Sequence, residues 1–258
     1  MSKVIAVCGR DLKAWLNTFS FYVLAVLFLG VTGYFFWSGL SYFSLVSFHV
    51  ATNPAFEAQG LNLTEGVSSV FLANVVTLML LLIPILTMRS FSEEKRNGTL
   101  ELLCTYPVSD FQIAFGKFLS LLFAVMLLVL PTALYFFLGP VVGARFEVSS
   151  LLTGYLGLFL VGASLAALGM FTSSLTEHQA ISAGIAFVTI LFFWIIGWMA
   201  DWTSPALGTI FRELSFVEHF KDLPRGIIDT KDIAFFLLFT AFFFFATLST
   251  LEIRTWRR

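Results

Sequence analysis

Six stretches of about 20 predominantly apolar residues, none holding an Asp, Glu, Lys, Arg or His, limit what this chain can fold into. They are Phe19–Leu40, Ser68–Met88, Phe118–Leu138, Leu151–Ser174, Ala180–Ala200 and Ile233–Leu251. Each is long enough to cross the hydrocarbon of a bilayer as a helix. A water-soluble fold could not hide so much apolar surface, because a domain of this size still exposes a large share of its area. Composition agrees: 58% of the 258 residues are hydrophobic and 12% are charged, against about 25% charged in a soluble domain. The expected fold class is an all-α integral membrane protein, a single transmembrane domain over residues 1–258. The formal net charge of −1 gives no polybasic face, and no nucleic-acid partner is expected.

Orientation follows from where Lys and Arg flank the spans. An even number of spans puts both termini on one side. That side collects Lys3, Arg10, Lys13, Arg89, Lys95, Arg96, Lys117, Arg254, Arg257 and Arg258. The other side has Arg145, Arg212, Lys221, Arg225 and Lys231, four of them in one loop rich in acidic residues, while the loop Ser41–Val67 has no Lys or Arg. Both termini are therefore expected in the cytoplasm. Cys8 and Cys104 fall on that reducing side, so neither a disulfide nor a metal site is expected. The run after Lys3, Arg10 and Lys13 is longer than the apolar core of a signal peptide and reads as the first span.

Residues 1–17 alternate at helical spacing, with Val4, Cys8, Leu12 and Trp15 on one side and Lys3, Arg10 and Lys13 on the other. The pattern predicts a helix lying in the inner headgroup layer. Leu151–Ser174 carries Gly154, Gly157, Gly162, Ala163, Ala166, Ala167 and Gly169. Small residues let membrane helices approach closely, so this span is expected to pack against protein, within the chain or across a dimer. The loop 201–232 is too rich in apolar residues for disorder and predicts one or two short helices that dip to the outer interface or re-enter the protein.

The densest charge lies between spans two and three, in Arg89-Ser-Phe-Ser-Glu-Glu-Lys-Arg-Asn-Gly-Thr-Leu-Glu-Leu-Leu-Cys-Thr-Tyr-Pro-Val-Ser-Asp110. Asn97-Gly98 marks a turn. Thr99 can cap a short helix through Leu100, Leu102 and Leu103, which Pro107 stops, and Ser109 with Gln112 forms a capping box before the third span. A stubby helix between two turns is a knob another protein can grip; an ordinary polar hairpin loop is the alternative.

Residues Ser92–Asp110, followed by Gly116-Lys117, closely resemble the loop signature of ABC-2 type exporter permeases. Phe216-Val-Glu-His-Phe-Lys-Asp-Leu-Pro-Arg-Gly-Ile-Ile-Asp-Thr-Lys-Asp232 resembles the branch of that family named for gliding motility and copper-enzyme maturation. The resemblance implies an N-terminal interfacial helix, a cytoplasmic coupling helix within residues 89–112, and short external re-entrant helices before the last span. It implies a permease in a bacterial cytoplasmic (inner) membrane that couples ATP hydrolysis by a separate nucleotide-binding ATPase subunit to export. A second permease subunit, identical or paralogous, is implied, and an accessory membrane protein and membrane lipid are further expected partners. Glu93, Glu94, Arg96, Gly98, Thr99 and Glu101 would lie in or beside the coupling element. Phe216, Glu218, His219, Phe220, Arg225 and Gly226 would belong to the external gate region. This chain would hold no cofactor itself, ATP and Mg being bound by the ATPase.

The residues exclude a resident ATPase site: Gly116-Lys117 is followed by Phe118 and preceded by Phe111 where a phosphate loop needs Gly. Glu93-Glu94 resembles the paired glutamates of prenyl-protein endopeptidases, but Asn97 and Gly98 stand where Arg is needed. His49, His178 and His219 lack metal-ligand spacing, so no enzyme is expected. The alternative is a secondary transporter or channel without an ATPase partner. Proton-coupled carriers place ionisable residues inside the membrane, and the six stretches have none. An uncharged path lined by Phe, Leu, Gly and Ser would suit a lipid, a glycolipid or a hydrophobic small molecule.

Overall fold

The computed structural model describes residues 2–52, 64–99, 109–139 and 146–256. Among these residues the chain is almost entirely helical, with no strand, and six helices are long and apolar enough to cross a membrane. In order the α-helices of the described residues are α1 (Ser2–Leu16), α2 (Phe19–Thr52), α3 (Ser69–Thr87), α4 (Arg89–Arg96), α5 (Asp110–Val129), α6 (Ala133–Leu138), α7 (Val148–Leu175), α8 (Gln179–Met199), α9 (Pro205–Glu213), α10 (Phe216–Phe220) and α11 (Thr230–Trp256). The spans are α2, α3, α5 with α6, α7, α8 and α11. The molecule is an all-α, multi-pass integral membrane protein.

The spans sit where the apolar runs place them, and their ends differ for physical reasons. Helix α2 continues twelve residues past Leu40 to Thr52, into what the sequence suggests is loop, because no Pro or Gly interrupts 41–52. Residues 89–96, expected as loop, form α4. Charge ends an apolar run but does not end a helix, and Glu93 to Arg96 are all good helix formers. The third span begins eight residues before Phe118, at Asp110, behind the expected cap: Ser109 Oγ accepts from Gln112 N–H and Gln112 Oε1 accepts from Ser109 N–H, both at 3.3 Å. The earlier start brings Lys117 into the helix. Pro131 then breaks the span into α5, a tight turn and α6.

Helix α7 is the centre of the bundle. It packs most extensively on α11 and α3, and also on α5 and α8, and its middle, from Leu165 to Met170, is entirely buried. The small-residue run thus packs within the chain. At Gly169 a Cβ would stand 2.0 Å from Thr87 Oγ1 on α3, so only glycine permits this crossing. The outer faces of α2, α8 and α11 leave large side chains uncovered, among them Val26, Phe192 and Phe242, as lipid-facing surfaces do.

Helix α1 has the expected two faces, with Cys8 buried and Lys3, Arg10 and Lys13 exposed. Its apolar side, however, rests largely on α5 rather than pointing wholly to acyl chains. A Cβ at Gly116 would meet Val7 Cβ at 2.9 Å and Val4 O at 3.0 Å. Burial, then the Asp11 charge, push the Cys8 thiol above its usual range.

Candidate functional site

Two clusters stand at opposite ends of α7. On the side of the chain termini, the ends of α1, α4 and α5 converge. Lys117, 2% exposed, extends from α5 to Asp11 Oδ2 at 3.1 Å, to Glu94 Oε1 at 2.9 Å and to the Ser90 carbonyl at 2.8 Å. Its ammonium also lies 5.1 Å from the centroid of the Phe91 ring, within cation–π reach. Arg10 closes the network, donating to Glu94 Oε1 and Asp11 Oδ1 at 2.7 Å. Burial opposes the charge on Arg10, yet Asp11 and Glu94 hold its guanidinium above the usual range. Two cations and two carboxylates thus neutralise one another, and three helices distant in sequence are tied together.

A second tie fixes α4 to α7. The hydroxyl of Ser173 accepts from Phe91 N–H at 3.0 Å and Ser92 N–H at 3.1 Å, and it donates to the Met88 carbonyl at 2.9 Å. Met88 occupies the N-cap position of α4 without a capping side chain, so α7 supplies the cap from outside. Lys95 donates to the Ser174 carbonyl, placing a buried cation at the C-terminal end of α7, where the helix dipole favours it. Replacing Ser173 with Ala is expected to cost about 1–2 kcal/mol, the scale of a lost helix cap. Faster hydrogen exchange confined to residues 88–96 would report it.

The tip of this element faces outward. Arg96, Asn97, Gly98 and Thr99 are exposed. Gly98 has φ +69°, as the Asn-Gly turn requires, and Thr99 Oγ1 donates to the Glu94 carbonyl at 3.3 Å. Glu101 and the short helix expected through Leu103 lie outside the described residues, as does Cys104. Of the residues assigned to coupling, Glu93 lines a cavity beside the network, Glu94 turns inward to Lys117 and Arg10, and only Arg96, Gly98 and Thr99 form the free tip.

At the other end of α7, the expected short helices are present as α9, α10 and a 3-10 turn at 223–225. Phe216 and Phe220 are buried, and the Phe216 ring meets Phe239 edge-on at 4.9 Å. His219 stacks on Phe235 at 4.1 Å, places Nδ1 2.7 Å from Asp232 Oδ1, and places Nε2 3.0 Å from the Glu213 carbonyl. The Glu213 carbonyl can only accept, so the ring donates to it from Nε2. Glu218 pairs with Lys221 and Arg225 stands 3.9 Å from Asp222, both at the surface. Gly226, φ +88°, reverses the chain. The turn is hung on α7: Ser150 Oγ donates to the Pro224 carbonyl at 2.5 Å and Thr153 Oγ1 to the Leu223 carbonyl at 2.8 Å. Asp229 caps α11 by accepting from Lys231 N–H at 3.1 Å, the bond that holds its carboxyl below the usual carboxylate range.

Sequence reasoning singled out the segments 89–112 and 216–232 but missed Arg10, Asp11, Lys117, Ser173 and Asp232 as partners of their residues. The signal for Lys117 was its place one residue after Gly116, where α1 leaves no room for a Cβ. Ser173 left none, since one serine in a run of small residues looks like any other.

The described residues form an apolar bundle of six spans, with a charged elbow fixed at one end and a hydrogen-bonded hairpin at the other. Residues 23–193 match the family model described as ABC-2 family transporter protein, and the chain belongs to that family as an ABC transporter permease. Permeases of this family generally partner with an ATP-binding subunit. No curated protein matches the chain.

Proposed function

We propose that this chain is the permease subunit of an ATP-driven exporter in a bacterial cytoplasmic membrane, with both termini in the cytoplasm and the ATPase on a separate polypeptide that binds ATP and Mg. The supporting observation is α4. It is too charged to lie in lipid, yet it is fastened at one end to α7 through Ser173 and to α1 and α5 through Glu94, and it ends in a free tip at Arg96–Thr99. A handle built this way carries displacement into several spans at once. The ATPase engages this tip and the segment that follows it, including Glu101. A second permease subunit, identical or paralogous, completes the transporter. The hairpin over 216–232, with Phe216, Glu218, His219, Phe220, Arg225 and Gly226, forms the outer gate, and the resemblance of its sequence supports a place in the gliding-motility and copper-enzyme-maturation branch. The apolar stretches of the spans on that side, free of ionisable residues, suit an apolar cargo.

Glu94 is a poor place to test coupling, because its substitution would also break the buried network. Arg96 is better, being exposed. Arg96→Glu is expected to reduce permease-stimulated hydrolysis by the ATPase encoded with it about tenfold, the scale of a charge reversed in an interface. The thermal midpoint of the purified permease should not move. Full stimulation with Arg96→Glu, or transport driven by an ion gradient with no co-purifying ATPase, would count against the assignment.

A further inference from the structure

A cavity of about 330 Å³ opens between α1, α4 and α5, next to the ion network. That volume lies within the range of small-ligand pockets. Its depth is marked by the residues on its wall: Thr18 directly precedes the first span, Arg89 opens α4 one residue beyond the end of α3, and Ser120 belongs to the third span. Trp15, half-buried, stands beside them, and indole rings favour the level of lipid headgroups. The cavity thus meets the membrane at headgroup height on the side of the chain termini.

Its charges select among ligands. Three cations (Arg10, Arg89, Lys117) and three carboxylates (Asp11, Glu93, Glu94) line it, so the lining has no net formal charge to attract an anion. Four of the six neutralise one another in the network. The other two, Arg89 and Glu93, are half-buried, and their side chains make no ion pair or hydrogen bond among the described residues. They stand four positions apart on α4 and therefore on one face, with Cβ atoms about 5–6 Å apart. An unsatisfied cation and an unsatisfied carboxylate one helical turn apart are complementary to a phosphate and an ammonium joined by a two-carbon bridge.

We propose that this cavity binds the headgroup of a phospholipid carrying a phosphate and a primary ammonium, the phosphoethanolamine class. Arg89 takes the phosphate, where a guanidinium offers paired donors, and Glu93 accepts from the ammonium. A choline headgroup has the same charges but no N–H to give Glu93. A glycerol headgroup brings the phosphate alone and leaves Glu93 facing an uncompensated anion. The inference does not depend on an ATPase partner, and its test uses the permease by itself.

The test is retention of lipid by the purified full chain in native mass spectrometry, with dioleoyl phosphatidylethanolamine, phosphatidylcholine and phosphatidylglycerol in competition. Phosphatidylethanolamine should be retained about tenfold better than phosphatidylcholine, the scale of one charge-assisted hydrogen bond. Glu93→Gln should bring the two to the same level, and Arg89→Gln should weaken both. Equal retention of the two by the native chain, preference for phosphatidylglycerol, or an unchanged preference in Glu93→Gln would overturn the proposal. Water-soluble glycerophosphoethanolamine that displaced the lipid at equal concentration would overturn the lipid as the source. Should either variant fail to fold, the three-lipid competition on the native chain decides alone.

Discussion

Replacing Lys117 with Met is expected to lower the stability of the folded chain by about 3–5 kcal/mol, the scale of a buried ion pair that loses one partner. The ammonium stands between two carboxylates and reaches Asp11 at 3.1 Å and Glu94 at 2.9 Å. Without it, one guanidinium, itself nearly half exposed, is left to balance both. The Glu94 Oε2 atom is already buried with no hydrogen-bond partner among the described residues, so Arg10 would be left as the side-chain donor to this carboxylate. Methionine fills most of the volume and keeps the contact with Phe91, so the loss measures charge rather than packing. Thermal unfolding of the purified protein in detergent provides the readout, and Lys117→Met with Glu94→Gln should recover a substantial part, because the stranded charge goes too. An unaltered midpoint for Lys117→Met would show that the network contributes no net stability.

The second large effect is expected at Gly169. Leucine there would put Cβ 2.0 Å from Thr87 Oγ1 and 2.6 Å from Thr87 Cβ, distances at which one helix has to move. Overpacking a filled core costs about 1–3 kcal/mol and occasionally more. The excess applies here, because Thr87 is fully buried and its hydroxyl donates to the Ile83 carbonyl at 2.9 Å. Thr87 is also the last residue of α3, directly before the turn into α4. Separating α3 from α7 at this height would draw α4 off Ser173, so Gly169→Leu should both destabilise the protein and expose residues 88–96 to exchange. Gly169→Ala with Thr87→Gly exchanges the small residue between the two helices and should restore much of the loss. Wild-type stability in Gly169→Leu would show that the helices cross with more room than 2.0 Å implies.

The parts legible in the sequence were those governed by local rules. Apolar runs of membrane length gave six spans, Ser109 with Gln112 gave the start of the third, and Asn97-Gly98 gave the turn. Where the reading stopped short, the cause was a change in what stabilises the helix. Leu40 looks like an end because a bilayer needs no more residues, yet nothing in 41–52 stops the ladder of hydrogen bonds. Arg89 looks like an end because charge begins, yet α4 is stabilised by Ser173 from 82 positions away. Lys117 meets Asp11 across 106 positions, a pairing that no periodicity encodes. The segment 201–232 was legible as short helices from its aromatics, but the His219–Asp232 contact joins α10 to the first turn of the last span and needs the fold to bring them together.

Helix α7 reaches both clusters without a break. Twenty-eight residues at 1.5 Å each make a rod of about 42 Å, and no proline interrupts it. Ser150 and Thr153 hold the hairpin near one end, and Ser173 holds the elbow near the other. A rod pinned so close to both tips has no joint in which to absorb a tilt, so the two faces of the membrane are mechanically in series: whatever pivots the one must swing the other.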